Sequence, residues 1–271
     1  MHKIFSLLAE LSTKLERIDI ELLLARSLNQ SREFLYSHPE YELTLVELTI
    51  FNKLIERRIQ GEPIAYILNK REFWSIELYV DKNVLIPRPE TELLIEIVLN
   101  FLDDKPKLIA DLGTGSGAIA LALAKERPEW SLVAVDKSMA ALDIAKKNAT
   151  NLQLNNIEFI NGDWCMPLVK NKFTAIISNP PYIAPNDQHL QQGDVRFEPK
   201  IALIAENGLS DLHKIIIEAK NKLISGGLLL LEHGYDQSTA VTESMKNAGY
   251  QDVTAYKDFG NNYRAVSGIM A

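Results

Sequence analysis

The stretch Leu108-Ile109-Ala110-Asp111-Leu112-Gly113-Thr114-Gly115-Ser116-Gly117-Ala118-Ile119-Ala120 constrains this chain more than any other. An apolar run of strand length passes into three alternating glycines and then into an alanine-rich run with the character of a helix. A turn that tight needs positive φ and close backbone approach, and glycine allows both because it has no Cβ. The bland alternative is a strand-to-helix turn without a ligand. Three alternating glycines directly after a buried strand favour a nucleotide-type cofactor.

Further apolar runs alternate with helical stretches at Leu132–Val135, Ile157–Ile160, Ala175–Ile177 and Leu228–Leu231, beyond a predicted helix near Thr91–Leu102. That order predicts an α/β, doubly wound, mostly parallel seven-stranded sheet. Asp252–Tyr256 and Arg264–Ile269 are separated only by Lys257–Asn262, too little for a crossover helix, so the last two strands are expected as an antiparallel hairpin.

The first sixty or so residues differ. Ile4, Leu7, Leu8, Leu11 and Leu15, and later Leu45, Leu48, Leu54, Ile55 and Ile59, recur at helical spacing, which predicts a bundle of four or five short helices. From Gly61-Glu62-Pro63 the texture becomes β-rich: Ile64–Leu68, then Glu72–Trp74 and Ile76–Val80, read as extended runs, with Asn69-Lys70 as the turn of a hairpin. The expected division is a helical bundle over 1–62, a β-hairpin linker over 63–88 and a catalytic domain over 89–271.

At 271 residues the chain is long enough for one large and one small domain. Its net charge of −7 argues against gripping nucleic acid through the phosphate backbone, so no direct nucleic-acid partner is expected. Cys165, the one cysteine, allows no intrachain disulfide, and no Cys/His spacing resembles a metal site. The N-terminal pattern, broken by Glu10, Lys14, Glu16 and Arg17, fits neither a signal peptide nor a membrane span, so a cytoplasmic location is expected.

The glycine loop alone leaves the cofactor open. Gly113-x-Gly115-x-x-Ala118 also satisfies the loose dinucleotide pattern, and Asp136, closing the second strand, suits the ribose of NAD or of an adenosyl group equally. Asp163-Trp164 follows the third strand, where an adenine could stack on the indole and give its amino hydrogens to the carboxylate. The competing reading of that pair is a half-buried tryptophan and a helix cap.

Asn179-Pro180-Pro181-Tyr182 decides the matter. It follows the apolar strand Phe173–Ser178, and ligands in such sheets bind outside the carboxyl ends of strands. The tetrapeptide is expected by chance in about one chain in a thousand of this length. An amide or aromatic amino nitrogen is a poor nucleophile because its lone pair is delocalised, so its two N–H groups must be held while it is methylated. Asn179 offers a side-chain oxygen and Pro180 a backbone carbonyl, with the prolines fixing both. Tyr182 can pack on the flat target and face a sulfonium charge. The alternative, a rigid turn with a surface tyrosine, is weakened by the upstream glycine loop. These residues predict an S-adenosylmethionine-dependent methyltransferase acting on a planar nitrogen, needing neither a metal nor a nucleophilic triad. His233, at another strand end, is read as a structural contact rather than a pocket residue.

With those motifs in view, the chain resembles the HemK/PrmC family of protein-glutamine N5-methyltransferases. Gly61–Tyr66, Arg71–Trp74, Leu85-Ile86-Pro87-Arg88-Pro89-Glu90-Thr91-Glu92 and Gly193-Asp194-Val195-Arg196-Phe197-Glu198-Pro199 carry the likeness across nearly the whole chain. The resemblance implies a class I methyltransferase fold, S-adenosylmethionine as cofactor with S-adenosylhomocysteine as product, and a class I peptide chain release factor as partner. The target it implies is the glutamine of the Gly-Gly-Gln loop. It places cofactor contacts on Gly113, Thr114, Gly115, Ser116, Gly117, Asp136, Trp164 and Asn179, and Asp111 and Asp163 are expected to join them. It places the glutamine on Asn179, Pro180, Pro181 and Tyr182, with Arg88 and Glu90 shaping the entrance, Arg196 structural and the helical region helping to dock the release factor. The rival readings are a glutamine methyltransferase of a large-subunit ribosomal protein, an adenine-N6 DNA methyltransferase, whose exocyclic amine poses the same problem, and a non-catalytic translation-factor binding module.

Overall fold

The helical spacing of the N-terminal apolar residues produces α1 (Ile4–Leu11), α2 (Arg17–Leu28), α3 (Arg32–Ser37) and α4 (Leu45–Ile59) in a computed structural model that describes residues 2–271. They bury Ile4, Ile20, Leu23, Leu24 and Phe51 in one apolar cluster. The α4 helix begins with a capping box in which the Thr44 hydroxyl accepts from Glu47 N and the Glu47 carboxylate accepts from Thr44 N, satisfying donors that the first turn leaves over. Buried Glu21 is paired by Arg17 and Arg32, and Asp19 by Arg58, so neither carboxylate is left uncompensated.

Ile64–Leu68 is not a strand. It forms α5, closed at its C-terminus by Asn69 in the left-handed region, whose N–H is directed at the carbonyls of Ala65 and Tyr66. A five-residue apolar run satisfies a strand or a buried helix equally; the signal for helix was the spacing of Ile64, Ile67 and Leu68, which pack on the helical cluster. The hairpin is also displaced. It pairs β1 (Arg71–Phe73) with β2 (Ile76–Leu78) around Trp74-Ser75 rather than turning at Asn69-Lys70. Both turn residues have positive φ, 48° and 54°, as a two-residue hairpin requires. Trp74 is held there by hydrogen bonds from its N–H to Glu92 and from its indole to Glu126.

By chain contacts the helical unit comprises Met1–Lys70 and Gln192–Phe197, and the second unit the remainder. Within the helical unit, Arg58 reaches Asp194 at 3.6 Å, and the Arg196 guanidinium lies over the Phe197 ring. Arg196 makes structural contacts there, and its Nε also donates to the Gly193 carbonyl.

The second unit adds α6 (Glu92–Phe101), β3 (Leu108–Leu112), α7 (Ala118–Glu126), β4 (Ser131–Asp136), α8 (Met139–Asn151), β5 (Ile157–Asn161) and β6 (Phe173–Ser178). It continues with α9 (Ser210–Ala219), β7 (Leu223–Glu232), α10 (Ser238–Asn247), β8 (Gln251–Lys257) and β9 (Tyr263–Ile269). The seven-stranded sheet runs in the order β5-β4-β3-β6-β7-β9-β8. Its first five strands are parallel, and β9 runs antiparallel to both β7 and β8, as the short C-terminal connection predicts. Apolar clusters cover both faces. Ile109, Leu112, Ile176 and Ile177 are fully buried, each contributing roughly 1.5–3 kcal/mol.

The chain leaves β3 towards β4 on one side and returns to β6 on the other, so the carboxyl ends of β3 and β6 flank the point where the winding reverses. A crevice opens at such a point. The glycine loop follows β3 and Asn179-Pro180-Pro181-Tyr182 follows β6, which brings together two motifs more than sixty residues apart. No helix among the described residues is long and apolar enough to cross a membrane.

Candidate active site

A cavity of about 240 Å³ lies at this crevice, and Gly113, Gly115, Asp136, Trp164, Asn179 and Pro181 are among its walls. Asp163 also lines it.

The glycine loop is held by its own backbone. Gly113 N and Thr114 N both donate to the Val135 carbonyl, and Gly115 N donates to the Asp136 carboxylate at 2.9 Å. The other Asp136 oxygen accepts from Ser138 N at 2.8 Å. Burial raises the Asp136 pKa against these bonds, which favour the ionised form. Gly117 has φ +86°, and a Cβ there would lie 2.7 Å from Leu121 Cδ1. At Gly113, φ +70°, a Cβ would come within 3.1 Å of the Trp164 ring. The missing side chains thus let α7 start tightly and let the indole lie against the loop.

Asp111, Thr114, Ser116 and Gly117 are not among the cavity walls. They shape the loop from behind: the Thr114 hydroxyl donates to Asp111 Oδ2 at 2.6 Å, and Ala120 N donates to the same oxygen. Asp111 is fully buried, its Oδ1 has no hydrogen-bond partner among the described residues, and burial pushes its carboxyl up to about 7.

Trp164 sits at φ +46° and donates its indole N–H to Asp211 at 3.1 Å. Asp163 is engaged by Lys214 at 2.5 Å, a partner that the sequence pattern did not predict. Sequence reasoning also missed Asn148. This buried side chain donates to the carbonyls of Tyr79 and Ser116 and accepts from Tyr79 N, tying the glycine loop to the segment after β2. Nothing in its local sequence marks it. Ile201 and Ala202 from a 3₁₀ segment, with Ile204 just beyond it, close another wall, likewise without a motif.

On the clamp side, Asn179 Nδ2 donates to the Thr91 hydroxyl at 3.0 Å, and Asn179 Oδ1 has no donor among the described residues. Thr91 in turn donates to Glu232 Oε2 at 2.7 Å, and Tyr182 donates its hydroxyl to Glu232 Oε1 at 3.3 Å. The Tyr182 carbonyl accepts from Gln237, while Ile183 is bridged to Ile204. Burial pushes the Glu232 carboxyl up to about 7 and the Tyr182 phenol above its ordinary value, the latter helped by the neighbouring Glu232.

Arg88 and Glu90 do not line the cavity. Arg88 is paired with the buried Glu198, which also accepts from Ile86 N, so this segment is clasped rather than free at an entrance. Glu90 is exposed in the 3₁₀ turn before α6. His233 is wholly buried, outside the cavity walls; its Nδ1 donates to the Gly234 carbonyl at 2.7 Å, and burial lowers its pKa. Among the described residues no cluster of His, Cys, Asp and Glu is arranged to hold a metal ion.

The donor set suits S-adenosylmethionine. An acidic side chain closes β4, an indole forms one wall, the loop leaves room where Cβ atoms would stand, and buried Asp111 keeps an unpaired oxygen behind it.

Comparisons with known proteins agree with this geometry. Residues 1–68 match the family model of the PrmC N-terminal domain, and 89–248 that of the methyltransferase small domain. The release factor glutamine methyltransferase of Coxiella burnetii is 49% identical over 248 residues, covering 91% of this chain and 89% of its own. That of Escherichia coli is 47% identical over 253 residues, covering 93% and 91%. The crystal structure of a methyltransferase from Pyrococcus furiosus shares the fold at 17% identity, with a TM-score of 0.55 over 80% of this chain and 98% of that one. With such identity over nine-tenths of its length, and with both domains matched, this chain belongs to the HemK/PrmC family of release factor glutamine methyltransferases.

Proposed function

We infer that the protein transfers a methyl group from S-adenosylmethionine to the side-chain amide nitrogen, N5, of the glutamine in the Gly-Gly-Gln motif of class I peptide chain release factors. The observation that carries this reading is Asn179: it stands on the cavity wall with its N–H committed to Thr91 and its Oδ1 unclaimed.

S-adenosylmethionine, when bound, supplies a methyl group already activated by the sulfonium. The chain's own task is to place a weak nucleophile. Asn179 Oδ1 and the Pro180 carbonyl accept the two N–H groups of the glutamine amide and hold the nitrogen as its geometry changes. Pro180 and Pro181 restrict the backbone so that both acceptors keep their aim. Tyr182, partly buried and held by Glu232, packs against the planar carboxamide. Asp136 meets the ribose hydroxyls, Trp164 and Asp163 the adenine, and Gly113 and Gly115 the remainder of the cofactor, with Thr114, Ser116 and Gly117 shaping the loop behind them. Arg88 acts by fixing the segment before α6 through Glu198 rather than by touching the glutamine. The helical unit, 1–70 with 192–197, serves to dock the release factor. The acidic balance of the chain supports a protein substrate rather than a nucleic acid, and a buried, lone cysteine is consistent with a cytoplasmic setting.

Labelled methyl donor offered with a release factor, a ribosomal protein fraction and duplex DNA tests the assignment. Label on the Gly-Gly-Gln glutamine, located by peptide mass spectrometry, is the expected result. Label confined to the ribosomal fraction or to DNA overturns it.

A further inference from the structure

The side chain that the clamp depends on is not oriented by its own loop. Asn179 reaches Thr91, which lies just before α6, and Thr91 reaches Glu232, the last residue of β7. Thr91 is 4% exposed and Glu232 1%, so both act out of contact with water.

A hydroxyl carries one hydrogen, and an ionised carboxylate can only accept. The Thr91 hydrogen is therefore directed at Glu232, and towards Asn179 the hydroxyl presents lone pairs alone. Only the amino end of the Asn179 carboxamide can satisfy it, which leaves Oδ1 for the cavity. Tyr182 donates to the other Glu232 oxygen, so both hydroxyls beside the clamp are polarised by one carboxylate.

We propose that Glu232 and Thr91 are positioning residues which determine that Asn179 presents its oxygen, not its amino group, to the substrate amide. This rests on the reading of Asn179 given above as an acceptor for the glutamine. With a donor at position 232, Thr91 would be free to give its hydrogen to Asn179 Oδ1. The carboxamide would then turn, and two donors would face two donors where substrate binds.

The groups facing Glu232 come from several elements. Thr91 and Glu90 lie in the turn before α6, Tyr182 in the clamp and Arg264 on β9, where it also pairs with Asp258. Burial, with a smaller push from Glu90, opposes the carboxylate, whereas the hydrogen bonds from Thr91 and Tyr182 and the charge of Arg264 favour it, and the balance sets titration at about 7. Turnover accordingly rises with pH through the neutral range.

The test compares kcat and KM for an intact release factor in the wild type, Asn179→Ala, Thr91→Val, Thr91→Ser and Glu232→Gln across about pH 5.5–9. S-adenosylhomocysteine binding serves as the check that each variant is folded. Thr91→Val and Glu232→Gln are expected to lower kcat by about tenfold or more. KM and product affinity should change by less than about twofold, because docking draws on remote contacts. Thr91→Ser, which keeps the hydroxyl, should retain most of the turnover, and the acid limb of the wild-type profile should vanish in Glu232→Gln. Equal kcat in Thr91→Val and Thr91→Ser, or an acid limb that survives in Glu232→Gln, overturns the relay. If Glu232→Gln does not fold, the Thr91 pair alone decides. Unimpaired turnover in Asn179→Ala would instead sink the reading of the clamp on which the relay rests.

Discussion

The two sides of the cavity are built by opposite means. After β3, the loop is fixed by what is missing: glycines with positive φ, backbone N–H groups turned onto Val135 and Asp136, and no side chain where the indole of Trp164 lies. After β6, the clamp is fixed by what surrounds it: two prolines, a threonine from before α6, a buried glutamate from β7 and Gln237 beyond it. The first arrangement is local, and its energetics lie in backbone conformation. The second is assembled from distant parts of the chain, and its energetics lie in the direction of buried hydrogen bonds. A cofactor loop can therefore tolerate little substitution yet need few partners, whereas a substrate clamp can be disabled from a site that never touches substrate.

The largest expected effect separates the two sides. Asn179→Ala should lower turnover by on the order of a hundredfold or more while changing S-adenosylhomocysteine affinity little, as read by steady-state kinetics and calorimetry. On the loop side the order reverses. Asn148→Ala leaves the N–H and carbonyl of Tyr79 and the Ser116 carbonyl without their buried partner, so it should cost about 3 kcal/mol in chemical unfolding and weaken cofactor binding. Gly117→Ala forces a Cβ towards Leu121 at positive φ and should cost about 1–3 kcal/mol, again with cofactor affinity falling ahead of kcat.

A subtler contrast comes from pH. The native Glu232 carboxyl titrates above the ordinary carboxylate range, so between that range and about 7 the folded state holds a proton that the unfolded state has lost. Wild-type stability from this group is fullest at low pH and declines as pH rises through about 7. Glu232→Gln cannot titrate, so its stability relative to wild type should improve by ~1–3 kcal/mol from pH ~5 to ~8, even as its turnover falls. The smallest effect lies away from the cavity. Ser75→Gly relieves a positive φ in the β1–β2 turn and should stabilise by up to about 1 kcal/mol without altering either side.

The same contrast explains what could be read in advance. The loop announced itself because turn, strand and helix are contiguous, and the α/β order followed from apolar runs alternating with helical ones. Asn179-Pro180-Pro181-Tyr182 was legible because its chemistry is packed into four neighbouring residues. Thr91 and Glu232 were not: each is unexceptional in its own segment, and their meaning arises only when the sheet brings α6 and the ends of β6 and β7 together. Asn148 was hidden for the same reason, being an ordinary polar residue within α8 until it meets Tyr79 and Ser116. Ile64–Leu68 misled because five apolar residues carry too little periodicity to separate a strand from a buried turn of helix, and the helical cluster it packs on lies elsewhere in the chain. Arg88 was read outward, towards an entrance, because its partner Glu198 stands over a hundred residues away.

A crystal structure with S-adenosylhomocysteine and the Gly-Gly-Gln loop of a release factor examines the central claim directly. The glutamine side-chain nitrogen should lie ~2.8–3.2 Å from both Asn179 Oδ1 and the Pro180 carbonyl, with the Asn179 amino group on Thr91. A glutamine held elsewhere, or an Asn179 turned to offer its amino group, would contradict it.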